Sequence, residues 1–562
     1  MFFKLAMIDL DNTIYDYDSC HQRALFATIE QITQAHAISG PDLMRSYKII
    51  SQRLKDELKN TAACHSRFIY FKQLSVTHSL PLSEVTRWHN LYWRTFYESI
   101  KIAPGVFELL SLLKMRNIKI VLLSDFLIDQ QFRKLEVLGL LDLFDDIITS
   151  EEVGVEKPSS KMFLAALART GVTADQAVMI GDSLTKDIEG AVACGIYGFQ
   201  VNGSLDEPKF GKNYSCFPNI DALQAWFQGL DHQLGRLEAL SRFCGERFDL
   251  TQGPGGNISV KFGDCLCIKS SGLLLSDVTR RGGYSILDNA RLLRDVDART
   301  PGPVDAYSLF TCTRASIETY MHAVLYDYTV HLHPLQVNII LTREGGGETV
   351  RSLFPDSLVL DYVTPGAGIA DALLVKQPIP EIVFLLNHGL IVSSNDFGRI
   401  FEVIDTVVRH CEDYLGRSFV HYRVVTQLST FLNNITGKSF VCYACEDAVI
   451  ERGMLALDAP PPLFPDVVVY CGTKILALDD LTLSVVETHL AKYGIPKLVT
   501  YAGRLYIYDQ SLRKCRDVEC ILKSVLLMLS IDVPGRIAHL SADEVAFLGD
   551  WEAEAYRRTL QS

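Results

Sequence analysis

The stretch "FFKLAMIDLDNT", residues 2–13, predicts a buried strand that ends in carboxylates. A short apolar run of this kind is typical of a strand covered on both faces of a parallel sheet. The runs "IKIVLLSD" (118–125) and "AVMIGD" (177–182) have the same form, and each also ends in an aspartate. Ligands bind beyond the carboxyl ends of strands in open parallel sheets, so we expect these aspartates to lie at one edge.

The residue types at this edge favour phosphate chemistry. Asp9 and Asp11 are two residues apart and therefore point to one side of the chain. With Asp182 they form an oxygen-rich set that suits Mg²⁺. Lys157, in "GVEKPSS" between the second and third strands, adds positive charge for a phosphoryl group. One aspartate could then attack phosphorus while the other moves the proton.

Taken together, these elements resemble the haloacid dehalogenase superfamily over about 225 residues. The helical stretch after the first strand, which includes "RALFATIEQITQ", corresponds to the cap of that family. An acid at Asp11 favours a phosphatase, since the dehalogenase branch lacks it. The resemblance implies that Asp9 forms an aspartyl phosphate and that Asp11 is the general acid and base. It also implies the remaining roles: Mg²⁺ at Asp9, Asp11 and Asp182, and phosphate contacts from Thr13, Ser124 and Lys157.

A second candidate site contains histidines. In "DYTVHLHPLQVNIIL" (327–341), His331 and His333 lie on one face of an apolar strand. They are either hydrogen-bonded core residues or metal ligands. A third histidine, His388, follows another apolar strand in "EIVFLLNHGLIVSS" (381–394). Three histidines leave one coordination position open, which is how catalytic zinc is held.

Two glycine-rich loops could hold a phosphate near this site. "TQGPGGNISVK" (251–261) and "IKSSGLLLSD" (268–277) offer unshielded backbone amides and hydroxyls. "TRASIETYMHAVLY" (313–326) predicts the start of a helix, with Ser316 as its cap and Glu318 in its first turn. The candidate phosphate contacts in these segments are Gly256, Asn257, Ser271, Gly272 and Ser316.

These motifs occur in the order found in the class II aldolase/adducin family, which the chain resembles over about residues 231–415. The resemblance implies Zn²⁺ on His331, His333 and His388, with Glu318 moving a carbon-bound proton. Its expected reaction joins or cleaves a ketone phosphate, such as dihydroxyacetone phosphate, and an aldehyde. Ile317 stands where the family often has Ser or Thr, so one phosphate-binding hydroxyl is missing. Dehydratase, epimerase or decarboxylase chemistry is the alternative, and Tyr362 is a weak candidate for the proton donor.

The C-terminal part has a resemblance of its own. "LFPDVVVYCG" (463–472) and "FLGDWEAEAYRR" (547–558) are similar to the aldolase part of rhamnulose-1-phosphate aldolase/dehydrogenase fusions. We interpret "PPPLFPDVVVYCG" (460–472) as a proline-rich entry to a strand.

The expected fold class is α/β: a Rossmann-like parallel sheet with a helical cap, a class II aldolase domain, and a C-terminal α+β extension. The expected boundaries are 1–228 with a cap at about 15–100, then 229–420 and 421–562. A net charge of −13 argues against nucleic-acid or membrane partners. No secretion signal or disulfide-like cysteine pattern is visible, so we expect a cytoplasmic protein acting on small phosphorylated sugars or ketones. The aldolase resemblance implies a homo-oligomer, with the tetramer as the family's form.

Overall fold

The computed structural model describes residues 3–59, 61–201, 205–309 and 314–548. Its first sheet has six parallel strands in the order β3-β2-β1-β4-β5-β6. The strands are β1 (Leu5–Ile8), β2 (Lys119–Ser124), β3 (Asp146–Thr149), β4 (Ala177–Gly181), β5 (Tyr197–Val201) and β6 (Tyr214–Phe217). Apolar residues of β1, β2 and β4 are buried on both sides of the sheet, as their unbroken hydrophobic runs predict.

Helices surround this sheet and form the cap. The cap helices are α1 (Tyr17–His36), α2 (Gly40–Glu57), α3 (Arg67–Thr77) and α4 (Val85–Ser99). The helices beside the sheet are α5 (Val106–Met115), α6 (Ile128–Leu138), α7 (Ser150–Val153), α8 (Ser160–Thr170) and α9 (Gly190–Ala193). The cap is therefore inserted between β1 and β2, next to the aspartates that follow β1.

A single helix, α10 (Ile220–Gly245), connects the first unit with the second. Its buried residues join one continuous apolar core that contains residues of both sheets. Arg116, directly after α5, reinforces this contact, with its Nε donating to Asp231 Oδ1 at 2.7 Å. The boundary predicted at residues 228 and 229 lies inside this helix.

The second sheet has seven strands in the order β11-β12-β13-β10-β7-β8-β9. All neighbouring pairs are antiparallel except β11 and β12. Its strands are β7 (Asn257–Phe262), β8 (Cys265–Lys269), β9 (Tyr284–Asp288), β10 (Tyr328–Leu332), β11 (Leu358–Leu360), β12 (Ile382–Leu385) and β13 (Gly389–Ser394). Its helices are α11 (Asn289–Asp297), α12 (Thr319–Val324), α13 (Leu335–Leu341), α14 (Gly346–Leu353), α15 (Ala367–Leu374) and α16 (Phe397–Leu415).

The last unit has a four-stranded sheet in the order β14-β17-β16-β15, with apolar clusters on its faces. Its elements are α17 (Val420–Thr436), β14 (Val441–Ala444), α18 (Ala448–Leu455), α19 (Pro465–Cys471), β15 (Leu476–Leu478), α20 (Leu483–Tyr493), β16 (Leu498–Tyr501), β17 (Arg504–Asp509) and α21 (Leu512–Ser530). Most of the motif at 547–558 lies outside the described residues.

The prediction of a strand within residues 460–472 is wrong, because Pro465–Cys471 of that stretch forms helix α19. Pro465 occupies the first helical turn, where its missing N–H has no intrahelical acceptor to lose, and Asp466 lies in the same turn. The valine-rich run favours a strand by local preference. Burial of Val467, Val468 and Cys471 in the apolar core nevertheless holds it as a helix.

Candidate active sites

Lys157 ties together the carboxylates at the edge of the first sheet. Its buried Nζ donates to Asp9 Oδ1 at 2.6 Å, to Asp187 Oδ1 at 2.6 Å and to the Leu123 carbonyl at 2.8 Å. Burial disfavours its ammonium, but Asp187 and Asp9 outweigh burial and raise the pKa of Lys157. Lys157 therefore stays charged beside the predicted nucleophile.

Asp187 reaches this cluster from a π-helical turn, Leu184–Glu189, directly after β4. Gly181 makes the approach possible, because a Cβ at that position would lie 2.5 Å from the Asp187 carboxyl carbon. Oxygen atoms of Asp9, Asp182 and Asp187 lie within 4.8 Å of one another. The structure thus adds Asp187 to the residues expected to handle the metal.

The charge balance of this group fits a divalent cation. Burial raises the pKa of Asp9, and the neighbouring Asp187 and Asp182 raise it further. Burial and Asp187 likewise raise the pKa of Asp182 to about 6. Three carboxylates with a single bonded ammonium leave excess negative charge, and an all-oxygen donor set suits Mg²⁺.

The Asp11 side chain lies outside this group, and its role as a ligand of Mg²⁺ stays a prediction. Its carboxylate accepts hydrogen bonds from Lys134 Nζ at 2.7 and 3.0 Å and from the Tyr15 hydroxyl. Burial alone would raise the pKa of Asp11, but Lys134 outweighs burial and lowers it. The Asp11 side chain is therefore turned toward α6 and held in its ionised form.

Two other predicted residues have supporting positions. Thr13 Oγ1 donates to Asp9 Oδ2 at 3.3 Å and accepts the Asp182 backbone N–H at 3.1 Å, so it links two strand ends. Ser124 Oγ lies 2.5 Å from Gln131 Nε2 and lines the same cavity as Asp9. Thr13 is thus a bridge within the carboxylate cluster, while Ser124 faces the space where a phosphate would bind.

Sequence reasoning missed Gln131 and Lys134 of α6. Both side chains are fully buried and connect Ser124 and Asp11 to the helix. Their spacing of three residues, with Leu135 beside them, places them on the buried face of α6. Two polar residues on a buried helical face were the available signal.

The carboxylates open into a cavity of about 340 Å³ between the sheet and the cap. Its sheet side contains five predicted site residues: Asp9, Asp11, Ser124, Lys157 and Asp182. Its cap side contains His21, Tyr47, Lys55, His65, Arg67 and Tyr70. The volume lies within the range of small-molecule binding sites.

The second candidate site is formed by the three predicted histidines. His331 lies in β10, the central strand, which pairs with β7 and β13. His388 precedes β13 in a turn in which Asn387 has a positive φ of 56°. His331 Nε2 lies 3.2 Å from His333 Nε2 and 3.3 Å from His388 Nε2.

These distances fit zinc. Two nitrogen ligands at the usual Zn–N length, set at a tetrahedral angle, are about 3.3 Å apart. Burial is the main cause that lowers the pKa of His331 to about 3 and that of His333 to about 4, so both rings are neutral. His331 Nδ1 donates to the Leu390 carbonyl at 3.2 Å, which leaves the Nε2 lone pair free for a metal.

Glu318 lies beside the three histidines. Its Oε1 is 3.6 Å from His331 Nε2 and 3.5 Å from His388 Nε2, and its other oxygen accepts a hydrogen bond from Asn257 Nδ2. Helix α12 begins one residue later, so Glu318 occupies the cap position. Ser316 Oγ accepts the Glu318 backbone N–H at 3.2 Å and so fixes this turn.

The two glycine-rich loops meet at the same place. Gly256 has a φ of 75°, and a Cβ there would lie 2.8 Å from the His331 carbonyl. Lys269, another residue that sequence reasoning missed, donates to the carbonyls of Pro254 and Gly256 at 3.1 and 3.2 Å. Burial lowers the pKa of Lys269 to about 8. The Lys269 side chain therefore braces the loop that precedes Asn257.

The predicted serine loop also lies beside the helix start. The Ser271 N–H donates to the Arg314 carbonyl at 2.8 Å, and Ser270 bridges to Ala315. Ser271 and Gly272 are exposed, and Gly272 has a φ of 80°. This arrangement brings Ser271, Gly272 and Ser316 into one region.

Tyr362 and Ile317 have exposed side chains, each 60% accessible. Tyr362 makes no side-chain hydrogen bond among the described residues, and its role as the proton donor stays a prediction. No helix in the described part of the chain combines the length and apolar character needed to cross a bilayer.

Comparison with known proteins divides the chain in the same way. A family model described as haloacid dehalogenase-like hydrolase matches residues 3–195, and one described as class II aldolase and adducin N-terminal domain matches residues 236–415. A ribulose-1,5-bisphosphate 5-phosphatase from Halopiger xanaduensis is 35% identical over 194 residues, which is 34% of this chain and 81% of that protein.

Two further similar proteins cover different parts of the chain. A glyceraldehyde 3-phosphate phosphatase from Methanopyrus kandleri is 28% identical over 222 residues, or 39% of this chain and 92% of that protein. The structure of the N-terminal class II aldolase domain of a conserved protein from Thermoplasma acidophilum has 22% identity and a TM-score of 0.30, covering 32% of this chain and 92% of that one.

The molecule is therefore an enzyme in which a phosphatase-type unit precedes an aldolase-type unit. The chain belongs to the haloacid dehalogenase-like hydrolases and carries a class II aldolase/adducin domain after the hydrolase domain.

Proposed function

We propose that the chain is a bifunctional sugar-phosphate enzyme with a zinc-dependent aldolase site and a magnesium-dependent phosphatase site. The aldolase joins or cleaves a ketone phosphate, such as dihydroxyacetone phosphate, and an aldehyde. The phosphatase hydrolyses the phosphorylated product. The observation that carries this proposal is that one chain holds both a convergent histidine triad with Glu318 and a buried Asp9–Lys157–Asp187 cluster.

In the phosphatase site, the Asp9 carboxylate attacks phosphorus, and the bond from phosphorus to the sugar oxygen breaks. Asp11 gives a proton to that oxygen. Water then attacks the aspartyl phosphate, and Asp11 takes the water proton as phosphate and the Asp9 carboxylate are released. Lys157 neutralises the nucleophile and the phosphoryl oxygens. Mg²⁺ held by Asp9, Asp182 and Asp187 would supply further positive charge.

Hydrogen bonds to the Asp11 carboxylate in the substrate-free protein place Asp11 for its proton transfers. Lys134 and Tyr15 hold its carboxylate in one orientation, and the lowered pKa keeps Asp11 ionised, which is the form that can take a proton from water. A phosphate dianion bound nearby would raise the pKa of Asp11 by like-charge repulsion, which favours the protonated acid needed in the first step.

In the aldolase site, Glu318 removes a proton from the hydroxyl-bearing carbon of the ketone phosphate. That carbon then bonds to the aldehyde carbon, and the aldehyde oxygen takes up a proton. Asn257 holds the Glu318 carboxylate and, with Gly256, Ser271, Gly272 and Ser316, forms the proposed phosphate site. Zn²⁺ bound by His331, His333 and His388 would supply Lewis-acid polarisation of the substrate oxygens.

The two reactions suit one pathway. Aldol addition is readily reversible, whereas phosphate hydrolysis is strongly downhill, so the phosphatase would draw the pair toward synthesis. The names of the two phosphatases similar to the first unit, which act on small sugar phosphates, support this substrate class. We also propose a cytoplasmic homo-oligomer, with a tetramer as the expected form.

The aldolase half is tested by proton exchange without an aldehyde. An Asp9→Asn variant, which spares the substrate phosphate, is incubated with Zn²⁺ and dihydroxyacetone phosphate in heavy water. NMR should show exchange of the carbon-bound proton, and adding His333→Ala should abolish both the exchange and the bound zinc. His410→Ala, at an exposed position, is the control. Absence of exchange with zinc bound would reject this donor and favour dehydratase, epimerase or decarboxylase substrates.

The phosphatase half is tested by phosphate release from small sugar phosphates with Mg²⁺. We expect Asp9→Asn to lose at least about 10³-fold in kcat, since it removes the nucleophile. Asp142→Asn, at an exposed position, should retain activity. Activity that survives in Asp9→Asn would refute the aspartyl-phosphate mechanism.

A further inference from the structure

Arg67, at the start of cap helix α3, is a buried cation without a carboxylate partner in the described residues. Only 5% of the residue is accessible. Its Nε donates to the Tyr92 hydroxyl at 3.2 Å, one terminal nitrogen donates to the His65 carbonyl at 2.8 Å, and the other donates to the Tyr17 hydroxyl. None of these three acceptors carries a formal charge at neutral pH. A guanidinium has five N–H donors, so two remain for a ligand.

Tyr47, on cap helix α2, supplies a second observation. It is 2% accessible, and its hydroxyl has no hydrogen-bond partner in the described part of the chain. Its ring packs edge-on against Tyr70 at 5.6 Å between centroids, which fixes its orientation. Tyr47 and Arg67 both line the phosphatase cavity. A buried hydroxyl without a partner is unfavourable unless a ligand completes its hydrogen bond.

The surroundings of these two residues distinguish the cap wall from the sheet wall. Lys55 adds positive charge at the cap wall, whereas Lys186 lies on the sheet side after β4 and pairs with Asp125 at 3.1 Å. His21 stays neutral, because burial first and Arg67 second lower its pKa to about 3. The carboxylates of the cavity are those of Asp9, Asp11, Asp18, Asp125, Asp182 and Asp187, and none of them pairs with Arg67. Five of these carboxylates belong to the sheet side and only Asp18, on α1, belongs to the cap, whereas Arg67 and Lys55 place two cations on the cap side.

We propose that Arg67 and Tyr47 form a binding subsite for a second anionic group of the phosphatase substrate, a phosphate or a carboxylate. The guanidinium presents two N–H donors to the anion, and the Tyr47 hydroxyl presents a third. The transferred phosphoryl group lies at Asp9 and Lys157, and the second anion lies at the cap. A cavity of about 340 Å³ has room for a small sugar bisphosphate.

This subsite rests on the proposed phosphatase function and specifies its substrate class. It also gives the cap a role in catalysis. The Arg67 guanidinium is stabilised only by neutral hydroxyl, carbonyl and aromatic groups, so its burial remains costly in the free enzyme. A doubly anionic substrate relieves that cost only when cap and sheet enclose it. Substrates with one phosphate lack this gain, so they should bind more weakly and be hydrolysed less efficiently.

The test compares pairs of compounds that differ in one anionic group. Ribulose 1,5-bisphosphate against ribulose 5-phosphate tests a second phosphate, and 3-phosphoglycerate against glycerol 3-phosphate tests a carboxylate. With wild-type enzyme and Mg²⁺, at least one doubly anionic compound should have a kcat/KM roughly tenfold or more above its pair. Arg67→Met should remove most of this advantage, mainly through KM, and Arg67→Lys should restore part of it.

Variants that differ less from the wild type keep the proposal testable if Arg67→Met fails to fold. Tyr47→Phe removes only the hydroxyl and should weaken the doubly anionic compound more than its pair. Lys55→Ala changes an exposed residue that lines the cavity and should have a smaller effect of the same sign. Arg53→Gln is the matched control, because Arg53 is exposed on the same helix and pairs with Glu57.

Direct binding separates failure of the subsite from failure of the phosphatase. Calorimetry on the wild-type protein at low temperature, or on Asp9→Asn if turnover interferes, measures the affinity for each compound. Tighter binding of the doubly anionic compound that disappears in Arg67→Met supports the subsite even if no phosphate is released. Equal affinity for both members of each pair, or an advantage unchanged in Arg67→Met and Tyr47→Phe, overturns it.

Discussion

Lys134 Nζ forms a buried ion pair with Asp11, at 2.7 Å from Oδ1 and 3.0 Å from Oδ2. The ammonium also lies over the Phe126 ring, 4.3 Å from its centroid. Asp11 must point at the leaving oxygen of the substrate and then at the attacking water, so its orientation matters as much as its acidity. Lys134 is therefore a positioning residue for the proposed general acid and base.

Lys134→Met should lower kcat of the phosphatase by about 10- to 100-fold, with KM changed less than threefold, because substrate contacts are kept while the proton carrier loses its support. Lys134→Arg should recover part of the rate. Steady-state phosphate release measures both constants. Arg133→Met, at the exposed neighbouring position, is the control. A loss confined to KM would contradict the positioning role and place Lys134 in substrate binding.

Asp187 should contribute to metal binding, since its oxygen lies within the same group as those of Asp9 and Asp182. Asp187→Asn should raise the Mg²⁺ concentration for half-maximal phosphatase activity by about tenfold or more. The substitution should also hold the Lys157 ammonium less firmly, because Lys157 loses one of its two carboxylate partners. Titration of Mg²⁺ at saturating substrate measures the effect, with exposed Asp175→Asn as control. An unchanged titration would leave Asp187 only as a partner of Lys157.

Glu318→Gln should retain zinc but lose exchange of the carbon-bound proton by at least about 10²-fold, because the amide cannot accept that proton. The zinc content of the purified variant and NMR in heavy water provide the two measurements. Loss of zinc together with exchange would show that Glu318 supports the metal instead of acting as the base.

Much of the two sites could be predicted because the decisive signals are local. An apolar strand that ends in "DLDNT" places Asp9 at the edge of a parallel sheet, and the period of two residues places His331 and His333 on one face. The structure confirms the α/β fold with β1, β2 and β4 where the three apolar runs predicted strands. It also brings the three histidines together.

The rest depends on packing between distant segments. Asp187 reaches the metal group only because a π-helical turn bends it back over Gly181. Lys134 meets Asp11 across 123 residues of sequence, and only its place on a buried helical face indicated its importance. Residues 460–472 were expected to form a strand but include a helix, which is likewise stabilised by burial in the folded core. Local sequence preference carries no information about such burial.

Glu246, at the end of α10, provides a prediction for stability. Its Oε2 accepts a hydrogen bond from Ser429 Oγ of α17 at 2.5 Å, whereas its other oxygen has no hydrogen-bond partner in the described residues. Burial raises its pKa from 4.5 to about 8. The folded protein therefore favours the protonated form of Glu246 at the contact between α10 and α17.

A raised pKa in the folded state fixes the sign of the pH dependence. The contribution of Glu246 to stability is fully present below about pH 4.5, declines as pH rises, and is lost above about pH 8. Glu246→Gln carries a neutral side chain at every pH. The stability of the wild type should therefore fall relative to that of Glu246→Gln between pH 5 and pH 8.5, by on the order of 1 to 3 kcal/mol.

Thermal unfolding of both proteins across this range measures the difference. The new amide N–H₂ group has its own burial cost, so the decisive quantity is the change in the Tm difference with pH and not its value at one pH. Glu238→Gln, at a partly exposed position on the same helix, should show no comparable trend. Parallel pH profiles for wild type and Glu246→Gln would mean that Glu246 is ionised in the folded protein. In that case Arg242, whose Nε lies 3.8 Å from Oε1, would be its effective counter-ion.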